Sequence, residues 1–250
     1  LSQCRASPAS EYLKMAIAQK YYYIAGMINL RRGDHNGARE MFSKHYRVLI
    51  KQHYLVTAWQ LLMEIEEFSS WEELGFQLQK GKAFLMRNMG DARGSVEFYH
   101  KIKVTAGSEE EAIINVDCAI AEQELGNYVA AAEAYQTALV YFRQAGKEKA
   151  EMRCLNNLGA VYYEQKDFNR CSAIYQEIIG LTEEKPDQAY ARNYNLVAQI
   201  NLADVFLHKA QWKRAQIYAT KLIEAKFQVK TDAPTRQIRG LASANYTQEA

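Results

Sequence analysis

The chain has 250 residues, of which 48% are apolar and 24% are charged, a balance typical of a globular domain. Its 31 basic and 29 acidic residues leave a net charge of +2, which gives no support for nucleic acid or an acidic membrane as a direct partner. The three prolines are few for this length. Because proline breaks helix interiors, the chain can carry many long helices.

No uninterrupted apolar segment is long enough to span a bilayer, so we expect no membrane insertion. The chain begins without Met, and the residues ending at Cys4 lack the preceding hydrophobic segment of a signal peptide, so we expect a processed or recombinant fragment. The four cysteines form no CxxC pair. Reduced thiols in the cytosol or nucleus are therefore the default, and we predict a cytoplasmic protein.

The predicted elements are helices throughout. Ser7 and Pro8 open a first helix that extends to about Arg32. Residues 36–67 follow the helical pattern as two helices or as one long bent helix. The remaining helices are predicted over 71–89, 92–104, 109–125, 128–145, 148–165, 168–182, 187–209 and 212–227. A short capping helix over 235–244 and a frayed end complete the chain.

The turns between these helices repeat along the chain. Gly126-Asn127-Tyr128, Lys166-Asp167-Phe168 and Ala210-Gln211-Trp212 each place an aromatic residue after a short turn, and the aromatic residues are 40 and then 44 positions apart. Gly33-Asp34-His35 and Gly90-Asp91-Ala92 look like the same turn, but their third residues are 57 positions apart. That longer interval predicts an additional helix around 50–68.

Small and aromatic residues recur at fixed positions beside these turns. Those beside two of the turns are Gly26, Ala38 and Phe42, and Gly159, Tyr162, Cys171 and Tyr175. This pattern resembles the tetratricopeptide repeat family, in which a small residue lets two helices cross closely and an aromatic one fills the neighbouring space. The period near 40 is similar to the long-helix branch of that family.

The resemblance implies an all-α fold, a right-handed superhelix of antiparallel helix pairs (a TPR-type α-solenoid). It covers most of residues 11–227, which we predict to form one repeat domain. Residues 1–10 are predicted to be a lead-in segment, and residues 228–250 a capping segment and tail.

The resemblance also implies that the first helix of each pair lines a groove that holds a partner protein. The polar residues expected to point into that groove are Lys80, Arg87, Gln123, Arg153, Asn156, Asn157, Asn201 and Asp204. Asn157 and Asn201 occupy equivalent positions in consecutive repeats, where an amide can both donate to and accept from a peptide backbone. We expect both to lie outside the core, so that replacing them with Ala weakens binding and leaves the fold intact.

One subtype of the family binds the C-terminal carboxylate of heat-shock chaperones through a set of lysines. The equivalent positions here hold Tyr23 and Val116, and Lys80 alone matches. The comparison argues against a chaperone-tail adaptor.

No phosphate-binding loop, GxSxG turn or HExxH helix is present, so we predict no enzymatic activity and no cofactor. His45 and His53 are about two turns apart on a predicted helix, but no cysteine or acidic residue accompanies them, and we predict no metal site. The cysteines at 118, 154 and 171 are predicted to pack in the core as small apolar residues.

The predicted function is a non-catalytic scaffold or adaptor that binds a peptide or a helical segment of a partner protein in its groove. Self-association is a further expectation, because the C-terminal end of the array is weakly capped. The alternative is a ligand- or peptide-sensing regulatory domain of a signalling or transcription-regulating protein. Its effector domain would then lie outside this fragment.

Overall fold

A computed structural model describes the backbone of residues 8–68, 70, 75–185 and 187–228, and side chains from residue 17 to residue 221 within these ranges. Every regular element in the described part of the chain is an α-helix, which confirms the predicted fold class. The helices are α1 Pro8–Arg31, α2 His35–Lys51, α3 Leu55–Glu66, α4 Phe76–Asn88, α5 Ala92–Lys101, α6 Glu109–Glu124, α7 Tyr128–Gln144, α8 Glu148–Glu164, α9 Phe168–Glu183, α10 Ala189–His208 and α11 Trp212–Gln228. The capping helix predicted over 235–244 lies outside the described residues.

The helices belong to two compact units, unit 1 over Leu1–Gly126 and unit 2 over Asn127–Ala250. In unit 1, α1 packs on α2 and α4 packs on α5, while α3 contacts both α2 and α4. In unit 2, α8 packs on α9 and α10 packs on α11. Short turns join the two helices of each pair, so the members of a pair run antiparallel.

Three of the turns inside these pairs, α1–α2, α4–α5 and α8–α9, share one construction. An aspartate side chain accepts a hydrogen bond from the backbone N–H three residues later, at 2.9 Å for Asp34, 2.8 Å for Asp91 and 3.0 Å for Asp167. The residue before the cap has a positive φ, +93° at Gly90 and +58° at Lys166. This combination ends one helix and starts the next within a few residues.

Three helix boundaries depart from a simple extension of the helical pattern. The predicted helical stretch over 36–67 divides at His53, where φ is +60°, and α3 is the additional helix expected there. For the helix predicted over 71–89, residues 71–74 lie outside the described residues, and α4 starts at Phe76, directly after Gly75 with φ +77°. The helix predicted over 92–104 ends at Lys101, because Ile102 takes an extended backbone conformation.

The predicted contacts between small and aromatic residues hold each pair together. A Cβ atom on Gly159 would lie 2.8 Å from Cζ of Tyr175, and one on Gly26 would lie 2.5 Å from Cε1 of Phe42. Both rings are buried. The backbones therefore approach so closely that only a hydrogen fits between the helix and the ring.

Candidate partner-binding faces

In unit 1, the first helices α4 and α6 are joined by two ion pairs. Lys80 Nζ lies 3.8 Å from Asp117 Oδ2, and Arg87 pairs with Glu124. The two pairs are seven residues apart on each helix, so α4 and α6 run parallel, as first helices of successive pairs must. The partly exposed Gln123 precedes Glu124 on α6. These five residues define the α4–α6 face.

A cavity of about 420 Å³ opens beside this face, between α2, α4 and α6. Its charged walls are the side chains of Arg47 and Lys51 from α2, with the Lys80–Asp117 pair opposite. Tyr46, Ile50 and Phe84 add apolar surface. The volume lies within the usual range of ligand pockets. Three cationic side chains around one carboxylate leave an excess of positive charge, which favours an anionic group in the cavity.

Arg87 is held differently from Lys80, although both lie on α4. Its guanidinium lies 5.6 Å from the centroid of the Phe84 ring while it pairs with Glu124. Arg87 is therefore already engaged within unit 1, whereas Lys80 lines the cavity directly.

In unit 2, the predicted groove residues lie on α8 and α10. We call Arg153, Asn156, Asn157, Asn201 and Asp204 the α8–α10 face. Arg153 is exposed, and the other four are partly exposed. The side-chain Oδ1 of Asn156 is buried and has no hydrogen-bond partner among the described residues.

Asp204 belongs to a network between α8 and α10. The Tyr163 hydroxyl donates to Asp204 Oδ2 at 2.5 Å and lies 2.7 Å from His208 Nε2. The His208 ring stacks on Phe168 with centroids 5.3 Å apart and an angle of 9° between the planes. Asp204 therefore fixes one first helix against the next.

Asn201 also has an internal neighbour, because its side chain lies close enough to the Tyr175 hydroxyl to lower the pKa of that group. Burial raises the pKa of Tyr175, so this hydroxyl keeps its proton at any ordinary pH. Asn157, at the equivalent position of α8, has no such buried partner among its described contacts. Equivalent positions in the repeat thus carry different contacts.

Sequence reasoning missed three of the four charged residues of the cavity. Asp117 lies eleven residues before the aromatic Tyr128, the same interval that separates Asn157 from Phe168, so the repeat register already contained this position. Arg47 and Lys51 were missed for another reason. They lie on α2, the second helix of its pair, whereas only first helices were expected to contribute.

The buried thiols are poorly suited to nucleophilic chemistry. Burial raises the pKa of Cys118 to about 11, and those of Cys154 and Cys171 to about 12. A thiolate is the reactive form, and these thiols are protonated at neutral pH. Cys154 Sγ donates to the Tyr135 carbonyl oxygen at 3.2 Å. As the sequence predicted, the three cysteines lie in the core.

No helix in the described residues has both the length and the apolar composition that crossing a membrane requires.

Comparison with known proteins identifies the fold. No family model matches the chain, and no curated protein sequence matches it. The chain is similar to BtubC (BKLC) from P. vanneervenii, with a TM-score of 0.73 and 18% identity over 88% of this chain and 92% of that one. It is also similar to the TPR-like repeats of a putative kinesin light chain from Podosopora anserina (TM-score 0.59, 11% identity, 85% of this chain and 97% of that one).

A third similar structure is the MamA RS-1 ArsTM double mutant, with a TM-score of 0.59 and 14% identity over 78% of this chain and 97% of that one. Identities this low establish the fold alone. The chain therefore has a tetratricopeptide-like α-solenoid fold, as the resemblance in its sequence predicted.

Proposed function

We propose that this chain is a non-catalytic scaffold or adaptor that binds a peptide or helical segment of a partner protein on the faces of its first helices. The cavity beside the α4–α6 face is the observation that carries the proposal. Its excess of cations suits an acidic side chain of the partner, and its apolar wall suits a neighbouring apolar side chain. A segment with an acidic residue beside an apolar one fits both parts.

The α8–α10 face contributes less directly to this proposal. We expect Arg153, which is exposed, and Asn157, whose side chain has no hydrogen-bond partner among the described residues, to contact a bound segment. Asp204 instead holds α10 against α8, and Asn201 lies beside the buried Tyr175 hydroxyl. We therefore assign polar recognition on this face to α8 and a positioning role to α10.

A charge-reversal experiment tests the cavity. The baits are the wild-type chain, the Arg47→Glu/Lys80→Glu variant, and the control Arg32→Glu/Arg93→Glu. The control changes net charge equally at two exposed residues of unit 1 that do not line the cavity. A partner captured by wild type and control should be lost with the cavity variant.

The segment responsible should then be made as a synthetic peptide and its affinity measured by fluorescence polarisation. We expect the cavity variant to bind at least about tenfold more weakly, since a cationic contact would become a repulsive one. Equal affinities for wild type and cavity variant would refute the cavity as the binding site. Capture of a small anionic molecule in place of a protein would favour the sensor alternative.

A further inference from the structure

Three side chains with metal-binding atoms converge where α5 packs on α6 in unit 1. His100 lies in the last turn of α5, and Cys118 and Glu122 lie on α6. One ligand atom from each residue is within 4.8 Å of the other two, and this is the one such group among the described residues. Cys118 and Glu122 are four residues apart, so both project from the same side of α6.

The separations suit a site that closes with a small movement. In a tetrahedral site with metal–ligand bonds of about 2.0 to 2.3 Å, ligand atoms lie about 3.5 Å apart. The three atoms therefore need to approach by at most about 1.3 Å. His100 can supply that movement, because it is exposed and lies one residue before the end of α5. Cys118 is buried and already fixed in position on α6.

The donor set selects the kind of metal. Mg²⁺ and Ca²⁺ prefer oxygen ligands throughout, whereas Zn²⁺ accepts imidazole nitrogen, thiolate sulfur and carboxylate oxygen together. We propose that His100, Cys118 and Glu122 bind one Zn²⁺ ion, with water in the fourth position. On binding, the thiol proton of Cys118 leaves to solvent and a bond forms between Sγ and the metal. No electron is transferred in this step.

A metal here would connect the C-terminal end of α5 to the middle of α6. Cys118 belongs to an apolar cluster that includes Val96 and Tyr99 of α5. The neighbouring residue Asp117 lines the cavity of the α4–α6 face instead. Because a ligand that binds only the folded state stabilises it by mass action, we expect Zn²⁺ to stabilise unit 1. The inference is independent of the proposed partner binding.

Cobalt substitution tests the site directly. The reduced, metal-free 250-residue chain is titrated with Co²⁺, whose bond to a thiolate gives a charge-transfer band in the near ultraviolet. We expect the band to saturate at one Co²⁺ per chain, to disappear with one equivalent of Zn²⁺, and to persist in excess Mg²⁺. The absence of a charge-transfer band at stoichiometric Co²⁺ would overturn the proposal.

Two variants and two controls assign the ligands. Cys118→Ala should abolish the charge-transfer band, while Cys171→Ala, which removes another buried cysteine, should retain it. His100→Ala should weaken Zn²⁺ binding by more than about 100-fold, beyond the 10- to 100-fold effect of losing an outer-shell partner. The exposed His35 provides the matched control, His35→Ala, with unchanged affinity.

His100 keeps the test decisive if Cys118→Ala fails to fold, since an exposed residue at a helix end can be replaced with little effect on stability. Unchanged Zn²⁺ affinity in a folded His100→Ala variant would contradict the proposed site.

Discussion

The two units join consecutive first helices by different chemistry. In unit 1, α4 and α6 are connected by the ion pairs Lys80–Asp117 and Arg87–Glu124. In unit 2, α8 and α10 are connected through the Tyr163 hydroxyl, which donates to Asp204. Ion pairs of this exposure are weak and are screened by salt, whereas a short hydrogen bond depends on local geometry. The same helical arrangement thus has one adaptable connection and one fixed connection.

This difference bears on which face receives a partner. An anionic group that enters the cavity of unit 1 can compete with Asp117 for Lys80. Little interaction energy is lost, because the distance from Lys80 Nζ to Asp117 Oδ2 is already 3.8 Å. Entry of a ligand between Tyr163 and Asp204 would first break a 2.5 Å hydrogen bond. The comparison supports unit 1 as the site of charge recognition.

The largest effect should come from a kind of packing that occurs in both units, in which a helical glycine lies against a buried aromatic ring of another helix. Gly159→Ala and Gly81→Ala should each destabilise the local unit by about 1 to 3 kcal/mol, because the new methyl group would meet a buried aromatic ring. The added Cβ would lie 2.8 Å from Tyr175 in one case and 2.7 Å from Tyr46 in the other. Hydrogen–deuterium exchange of peptides from α8 and α9, and from α2 and α4, measures each loss separately.

Gly180 is the matched control, since it lies within α9 and a Cβ atom there would have no other atom within 4 Å. Gly180→Ala should raise the free energy of unfolding by about 0.5 to 1 kcal/mol, because alanine favours a helix over glycine. Protection lost in only one unit, or lost equally in the control, would show that close helix crossing is not the common framework.

The fold was predictable because its determinants are local. Turns such as Lys166-Asp167-Phe168 recur along the sequence, and α8 and α9 begin at the predicted residues. Helical periodicity does not reveal single backbone conformations such as the positive φ of His53, which separates α2 from α3. The pattern of apolar residues alone therefore left open whether this stretch forms one helix or two.

The second prediction compares Asn157 and Asn201, which occupy equivalent repeat positions within unit 2. Asn201→Ala should lower the free energy of unfolding by about 1 to 2 kcal/mol, because the buried Tyr175 hydroxyl would lose its polar neighbour. Asn157→Ala should change it by less than about 0.5 kcal/mol, since the Asn157 side chain has no hydrogen-bond partner among the described residues that its loss would leave unpaired. Chemical denaturation of the two single variants measures both values. Equal losses would remove the distinction between a positioning and a contacting asparagine.

That contrast changes how binding on the α8–α10 face should be tested. The sequence predicts Asn157 and Asn201 to be equivalent contacts outside the core, because each lies the same number of residues before the next aromatic residue that follows a turn. Repeat register specifies a position on a helix, but it does not specify which side chain of the next helix faces it. Asn157→Ala is therefore the informative single variant for partner binding, because its effect on stability should be small.

The cavity and the metal ligands show the same limit of sequence reasoning. Arg47 and Lys80 line one cavity although 33 residues separate them in sequence, and His100 lies near Cys118 across the loop between α5 and α6. Neither pair has a motif or a repeat interval that connects it. Tertiary packing brings these residues together, and a period within one helix contains no information about that packing.

The smallest effect should be a difference in salt dependence between the ion pair that connects α4 to α6 and the hydrogen bond that connects α8 to α10. A double-mutant cycle on Arg87→Ala and Glu124→Ala should give a coupling energy of about 0.2 to 1 kcal/mol at low ionic strength. In about 1 M salt the Debye length falls to about 3 Å, so most of this coupling should disappear. The corresponding cycle on Tyr163→Phe and Asp204→Ala should keep its coupling, since its hydroxyl–carboxylate bond spans 2.5 Å. If salt reduces both couplings equally, the adaptable character assigned to unit 1 has no electrostatic basis.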